Sequence, residues 1–171
     1  MKVGILNFYK ENKMSNWCEC ELSVRVDDDH IAEIMKFVND VIGEDEDGPL
    51  LLSFNKLLPE PKELLQTKAP NDKPNQELID KYGVDNWYDW RKQNWGVKWE
   101  VDAERGDFNP GDRYVHYTFL SVNFPPIEFF EAVSKMYTHL EFTLKYDEPG
   151  MGYIGVAKIE NGVVDDQVIN Y

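Results

Sequence analysis

The chain has 171 residues, 42% of them hydrophobic and 13% aromatic, with 32 acidic against 18 basic side chains and a net charge of −14. This is the length of one domain with enough apolar material for a real core, and no apolar run approaches the roughly 20 residues that a membrane span needs. The charge works against binding to nucleic-acid phosphates or anionic lipid and favours encounter with basic proteins.

The opening stretch Met1–Trp17 lacks the long apolar segment and small-residue cleavage site of a secretory leader, which predicts a cytosolic protein. Met1–Lys13 reads as an arm ahead of a single domain spanning 14–171. Trp17–Val26 alternates as a half-buried strand, with Cys18, Cys20, Leu22, Val24 and Val26 on one face and Glu19, Glu21, Ser23 and Arg25 on the other. Asp27, Asp28 and Asp29 then suit the cap and positive end of a helix over His30–Ile42. Its expected buried stripe is Ile31, Ile34, Met35, Val38, Val41 and Ile42, and Gly43 stops it. Glu44, Asp45, Glu46 and Asp47 read as a solvated loop ending in the Gly48-Pro49 turn.

Leu50–Asn55 is the expected second strand, followed by an irregular connection marked by Pro59, Pro61, Pro70 and Pro74. Gln76–Tyr82 is a short helix closed by Gly83. Four of the five tryptophans follow: Trp87, Trp90, Trp95 and Trp99. At helical spacing Trp87, Tyr88, Trp90, Arg91, Asn94 and Trp95 fill one broad arc. A fully buried tryptophan contributes roughly 4–6 kcal/mol before entropic costs, so this helix is expected to be anchored on the core, as a lid at a sheet end or edge. Lys98–Ala103 alternates like a short strand, and Glu104–Asp112 reads as a polar loop.

Tyr114–Asn123 is a strand rich in aromatic and β-branched residues. Pro125-Pro126 opens a helix over Ile127–His139. Glu141–Tyr146 is a strand, and Tyr153–Ile159 and Val163–Ile169 are two more, joined by the hairpin signal Asn161-Gly162. Setting aside a helical insertion at about 74–96 and the last hairpin leaves βαββαβ. The expected fold is therefore α+β: a ferredoxin-like antiparallel sheet with its helices on one face, a Trp-rich helical insertion and a C-terminal β-hairpin.

Four segments strengthen that reading. They are Met14-Ser15-Asn16-Trp17-Cys18; Phe54-Asn55-Lys56 with Pro59-Glu60-Pro61; Asn86–Arg91 (NWYDWR) with Asn94-Trp95-Gly96 and Lys98-Trp99; and Glu148-Pro149-Gly150-Met151-Gly152. In this order they resemble the YubB ferredoxin-like family of bacteriophages, prophages and conjugative plasmids. The resemblance covers most of Met14–Ile159; the arm Met1–Lys13, the run Glu44–Asp47 and Cys20 fall outside the pattern. It implies the ferredoxin-like fold, a mobile-element origin and residence in the cytosol of a bacterial host, and it brings no catalytic residues.

Several constellations carry chemistry in principle. Arg91 and Asn94, flanked by Trp87 and Trp95, would clamp a carboxylate or phosphate; the plainer alternative is an arginine stacked on tryptophan and paired with an acid from Trp99–Asp102. Gly150-Met151-Gly152-Tyr153-Ile154-Gly155 spells GxGxxG, but β-type residues follow it where a dinucleotide site needs a helix. Cys18 and Cys20 are spaced poorly for a mutual disulfide and lack further zinc ligands at suitable spacing, with His30, His116 and His139 the only histidines. No nucleophile, metalloprotease or phosphate-loop motif occurs.

The expected function is that of an acidic, non-catalytic accessory protein that binds and inhibits a basic host protein handling nucleic acid, such as an RNA-guided or restriction nuclease. Asp27, Asp28, Asp29, Glu44, Asp45, Glu46, Asp47, Asp165 and Asp166 would form the partner surface. No cofactor, membrane or direct nucleic-acid contact is expected. One alternative is a ligand-binding or enzymatic domain with a site under the tryptophan helix. Another is an RNA- or DNA-binding module using Tyr117 and Phe119, with Lys56, Lys62, Lys68 and Lys73 nearby.

Overall fold

The computed structural model describes residues 16–171; the arm Met1–Lys13, with Met14 and Ser15, lies outside the described residues. The alternation of β1 (Trp17–Arg25) places Cys18, Cys20, Leu22 and Val24 in the interior and makes it the central strand of a six-stranded sheet. On one side it pairs antiparallel with β5 (Tyr114–Val122), from Trp17↔Val122 to Arg25↔Tyr114. On the other it pairs with β6 (Glu141–Glu148), from Glu19↔Asp147 to Arg25↔Glu141. A crossover through α6 (Ile127–Ser134) joins β5 to β6 across β1. With β4 (Glu104–Arg105) beyond β5, the order β6-β1-β5-β4 is the ferredoxin-like one. β7 (Tyr153–Glu160) and β8 (Val163–Asn170) extend the sheet past β6. Asn161 and Gly162 turn that hairpin with φ of 46° and 77°, the left-handed pair a tight two-residue turn needs.

Asp27 caps the 3-10 turn Asp28–His30, which leads into α1 (Ile31–Asp40). α1 and α6 cover one face of the sheet. Ile34, Phe37, Val38 and Val41 meet Phe129, Phe130 and Val133 over Leu22, Val24, Val115, Tyr117, Phe142 and Leu144. Phe37 lies edge-on to Tyr117, Tyr137 and Phe142. Phe37 is absent from the expected stripe, whereas Ile42, past the end of the helix, is exposed and Ile31 and Met35 are half-buried.

The second half of the βαβ unit departs from expectation. Leu50–Asn55 is not a strand of the main sheet. Leu50 ends β3 (Gly48–Leu50), which forms a separate small hairpin with β2 (Gly43–Asp45). The acidic run is therefore the tip of a hairpin rather than a free loop, and Asp45 Oδ1 accepts the Asp47 amide at 2.9 Å. Phe54–Leu57 is a helical turn, α2. The Glu100 carboxylate receives the amides of Phe54 and Asn55 at 2.8 and 2.6 Å and the Ser53 hydroxyl at 3.1 Å. Donors that a strand would give to a ladder are spent on a helix cap. The ferredoxin-like second strand is instead β4, inside the stretch expected to be a loop, while Lys98–Ala103 is irregular with Val101 and Ala103 buried. α6 also stops earlier than expected, at Ser134, yet Tyr137 and Leu140 beyond it are buried.

α3 (Lys62–Leu65), α4 (Gln76–Tyr82) and α5 (Trp87–Asn94) complete the insertion. Asn86 starts α5 by accepting the Asp89 amide, and Gly83 ends α4 with φ of 78°. α5 packs against the helix layer, and its Lys92 lies over the Phe124 ring just past the end of β5. Trp95 is edge-on to Phe54, which stacks on Phe129 of α6 at 4.1 Å.

Candidate functional site

Trp90 and Trp95 are buried, while Trp87, Arg91 and Asn94 are half-buried. The Arg91 guanidinium lies 5.1 Å from the Trp87 ring centre and 5.0 Å from that of Trp95. It donates to the Lys98 carbonyl and to Glu60, whose side chain is only 1% exposed. Trp95 Nε1 donates to the Leu58 carbonyl, and Asn94 Nδ2 donates to Trp90 O within its own helix. The four residues proposed as a ligand clamp are thus brought together, with the Arg91 guanidinium, the Asn94 amide nitrogen and the Trp95 indole nitrogen bonded within the fold. The acid that pairs with Arg91 is Glu60, not a residue of Trp99–Asp102. Its position between Pro59 and Pro61, in one of the four segments that carry the family resemblance, was the available signal. Glu100 caps α2, and its burial pushes its pKa up against the three donors that hold it down.

Cys18 and Cys20 are buried free thiols, Sγ to Sγ 3.9 Å, with Cys20 Sγ 3.5 Å from Ser121 Oγ. The Cys20 hydrogen bond, then burial, drives the Cys18 pKa upward and keeps it a thiol. Among the described residues no group of three or more His, Cys, Asp or Glu side chains is arranged to hold a metal ion. His30 and His139 stack at 3.6 Å between ring centres, with their Nδ1 atoms on Asp27 and Glu33. The GxGxxG stretch is the β6–β7 turn and the start of β7. Gly152 has φ of 73°, and Gly155 lies flat against the Tyr146 ring. Tyr117 and Phe119, imagined as a nucleic-acid platform, face the helices and are 0% and 5% exposed. Strand parity decides this, since they share the face of Val115.

The acidic runs are exposed but separate. Asp27–Asp29 sit at the outlet of β1, where Asp28 pairs with Arg113 and His30 holds the Asp27 carboxyl below its usual range. Glu44–Asp47 lie beyond the opposite end of α1, a ten-residue helix about 15 Å long. Asp165 and Asp166 lie on β8 and point to opposite faces of the sheet, Asp166 accepting the Tyr146 hydroxyl at 2.6 Å.

The face of the sheet turned away from the helices carries a denser set of charges that sequence reading passed over. Register aligns Glu19, Glu21 and Arg25 of β1 with Glu141, Lys145 and Asp147 of β6, and these with Lys158 and Glu160 of β7 and Asp165 of β8. Glu21 stands opposite Lys145, Arg25 opposite Glu141, and Lys158 opposite Asp165, as complementary pairs. Glu19, however, stands opposite Asp147, whose Oδ1 accepts the Tyr171 hydroxyl at 2.7 Å. Ser23, Arg25, Glu141, Thr143, Lys158 and Asp165 line an open trough of about 830 Å³ on this face. The signal was present in the alternation of β1, whose outward positions are Glu19, Glu21, Ser23 and Arg25.

Residues 94–170 match the family model described as the ferredoxin-like domain in Api92-like protein. The fold is also similar to the crystal structure of a protein api92 from Yersinia pseudotuberculosis. That match has 12% identity and a TM-score of 0.51, and it covers 92% of this chain and 98% of the other. No curated protein matches the chain. Among the described residues no helix is long and apolar enough to cross a membrane.

Proposed function

We propose that this chain is a non-catalytic binding protein whose acidic surface engages a basic partner that handles nucleic acid. On this reading the partner is a host defence nuclease, RNA-guided or restriction-type, and the protein is an inhibitor made by a phage or plasmid. The likeness of its motifs to the YubB family supports the mobile-element origin. One observation carries the reading: the face of the sheet that no described element covers sets Glu19 against Asp147 and carries Glu19, Glu21, Glu141, Asp147, Glu160 and Asp165 against only Arg25, Lys145 and Lys158. Like charges directly opposite each other destabilise a sheet. A cationic partner laid over them relieves that repulsion and adds steering at long range. The net charge of −14 acts in the same direction.

The test is capture on the immobilised protein from bacterial lysate cleared of nucleic acid. The expected catch is a basic protein that is released by high salt or by competing DNA. A charge-reversed variant, Glu19→Lys with Glu141→Lys, is expected to lose it. Capture that ignores both salt and charge reversal, or the absence of any basic protein at low salt, overturns the proposal.

A further inference from the structure

Among the described residues β8 ends the sheet and has a partner on one side only. No described element pairs with the backbone N–H and C=O groups of its outer edge, which runs along an eight-residue strand about 27 Å long. Edge strands are normally blunted by proline, lysine, a bulge or a covering element. β8 contains neither proline nor lysine, and its ladder with β7 runs without interruption from Glu160↔Val163 to Tyr153↔Asn170. Val163, Val168 and Ile169 on it are exposed, as are Ile154 and Val156 beside it and Tyr171 after it. Of its two aspartates, Asp165 stands opposite Lys158 in the register, and Asp166 accepts a hydroxyl from Tyr146.

We infer that β8 is a strand-pairing interface for a second copy of this chain, joined antiparallel about a two-fold axis at Gln167. The occupant follows from the strand's own complementarity. A two-fold axis perpendicular to the sheet keeps each side chain on its face, so the axis must pass through a residue position. An axis at Asp165 or Asp166 sets an aspartate against its own copy, and one at Val168 shortens the ladder. At Gln167 the stretch Val163–Tyr171 runs against itself, Asp165 opposite Ile169 and Asp166 opposite Val168. The Gln167 amide, donor and acceptor at once, then meets its own copy. The two sheets become one of twelve strands, and the acidic faces of both copies become continuous. A single ladder buries less than the roughly 800 Å² per partner of a standard interface. The association is therefore weak and rises with concentration. This inference does not rest on the proposed inhibitor role.

Sedimentation of the full chain from micromolar to submillimolar concentration reads the equilibrium. Gln167→Cys and Asp165→Cys, treated with oxidised glutathione, read the register. Cys18 and Cys20 are buried and stay silent in that assay. The expected result is a monomer–dimer equilibrium in the wild type, weakened by Ile169→Lys. Disulfide-linked dimer should form about tenfold faster at position 167 than at 165, whose copies lie too far apart to bridge. A monomer at every concentration, or equal cross-linking at the two positions, overturns the inference.

Discussion

Arg91 meets Glu60 through a single oxygen: Nε and Nη2 both approach Oε2, at 2.7 and 2.6 Å, while Oε1 is buried without a partner among the described residues. The pair fastens α5 to the Pro59–Pro61 segment and occupies the place where a ligand clamp was conceivable. Removing one member leaves the other uncompensated in a poorly hydrated site. Arg91→Ala should cost about 3 kcal/mol and Glu60→Ala somewhat less, since Arg91 retains some access to water and its carbonyl partner at Lys98. Glu60→Ala with Arg91→Ala should cost less than the sum of the single changes. Urea unfolding of the four proteins checks this, and strict additivity contradicts it.

Trp95 is the deepest of the four clustered tryptophans, 1% exposed, and links Phe54 to Trp90 by edge-on contacts. Trp95→Ala should cost about 3–5 kcal/mol. Trp95→Phe should cost less, keeping the ring but stranding the Leu58 carbonyl. Denaturant midpoints of both variants decide it.

Glu19→Lys places a cation opposite Asp147 and beside the remaining acids of the bare face. It should raise Tm by on the order of a degree or two while weakening capture of a basic partner. A gain in stability coupled to a loss of binding distinguishes a working surface from a merely soluble one. Thermal melts beside the capture assay measure both halves.

The Glu100 carboxyl titrates above the usual glutamate range because burial outweighs its donors. The folded state then holds this proton more tightly than the unfolded chain. Its contribution to stability is full below the unfolded pKa and declines as pH rises through the folded one. Against Glu100→Gln, the wild type should lose ground between about pH 4 and pH 7. Urea unfolding of both proteins at the two pH values tests the sign; a gap that widens in the wild type's favour refutes it.

A Cβ at Gly155 would overlap the Tyr146 ring on the neighbouring strand. Gly155→Ala should therefore cost about 1–3 kcal/mol, although Ala is intrinsically acceptable in a strand. The Tyr146 hydroxyl bond to Asp166 should break with it, visible as loss of protection in the β7–β8 hairpin by hydrogen exchange.

The strands legible in the sequence are those whose pattern is decided locally. β1 alternates over its whole length, β6 does the same, and Asn161-Gly162 announces its own hairpin. The misplaced second strand failed for a long-range reason. Leu50–Asn55 has strand-like residues, but Glu100, far along the chain, takes up its amide donors and makes a helix start of it. β4 is two residues long, too short for periodicity to register. The candidate clamp was half legible: the spacing of Trp87, Arg91 and Trp95 foretold the stacked guanidinium, but the partner acid arrives from a segment with no regular period. The bare charged face was overlooked because it belongs to no run. Its acids come from four strands and meet only through register.

The placement of β1 at the middle of the sheet also governs how the chain must acquire its shape. Trp17–Arg25 finds both of its neighbours only after residues 114–122 and 141–148 have been made. Until then Leu22, Val24 and the two thiols have no sheet to join, whereas β6, β7 and β8 close on one another through short turns. Such distant pairing slows assembly. During synthesis β1 therefore waits until residue 148 has been made before both of its neighbours exist to receive it.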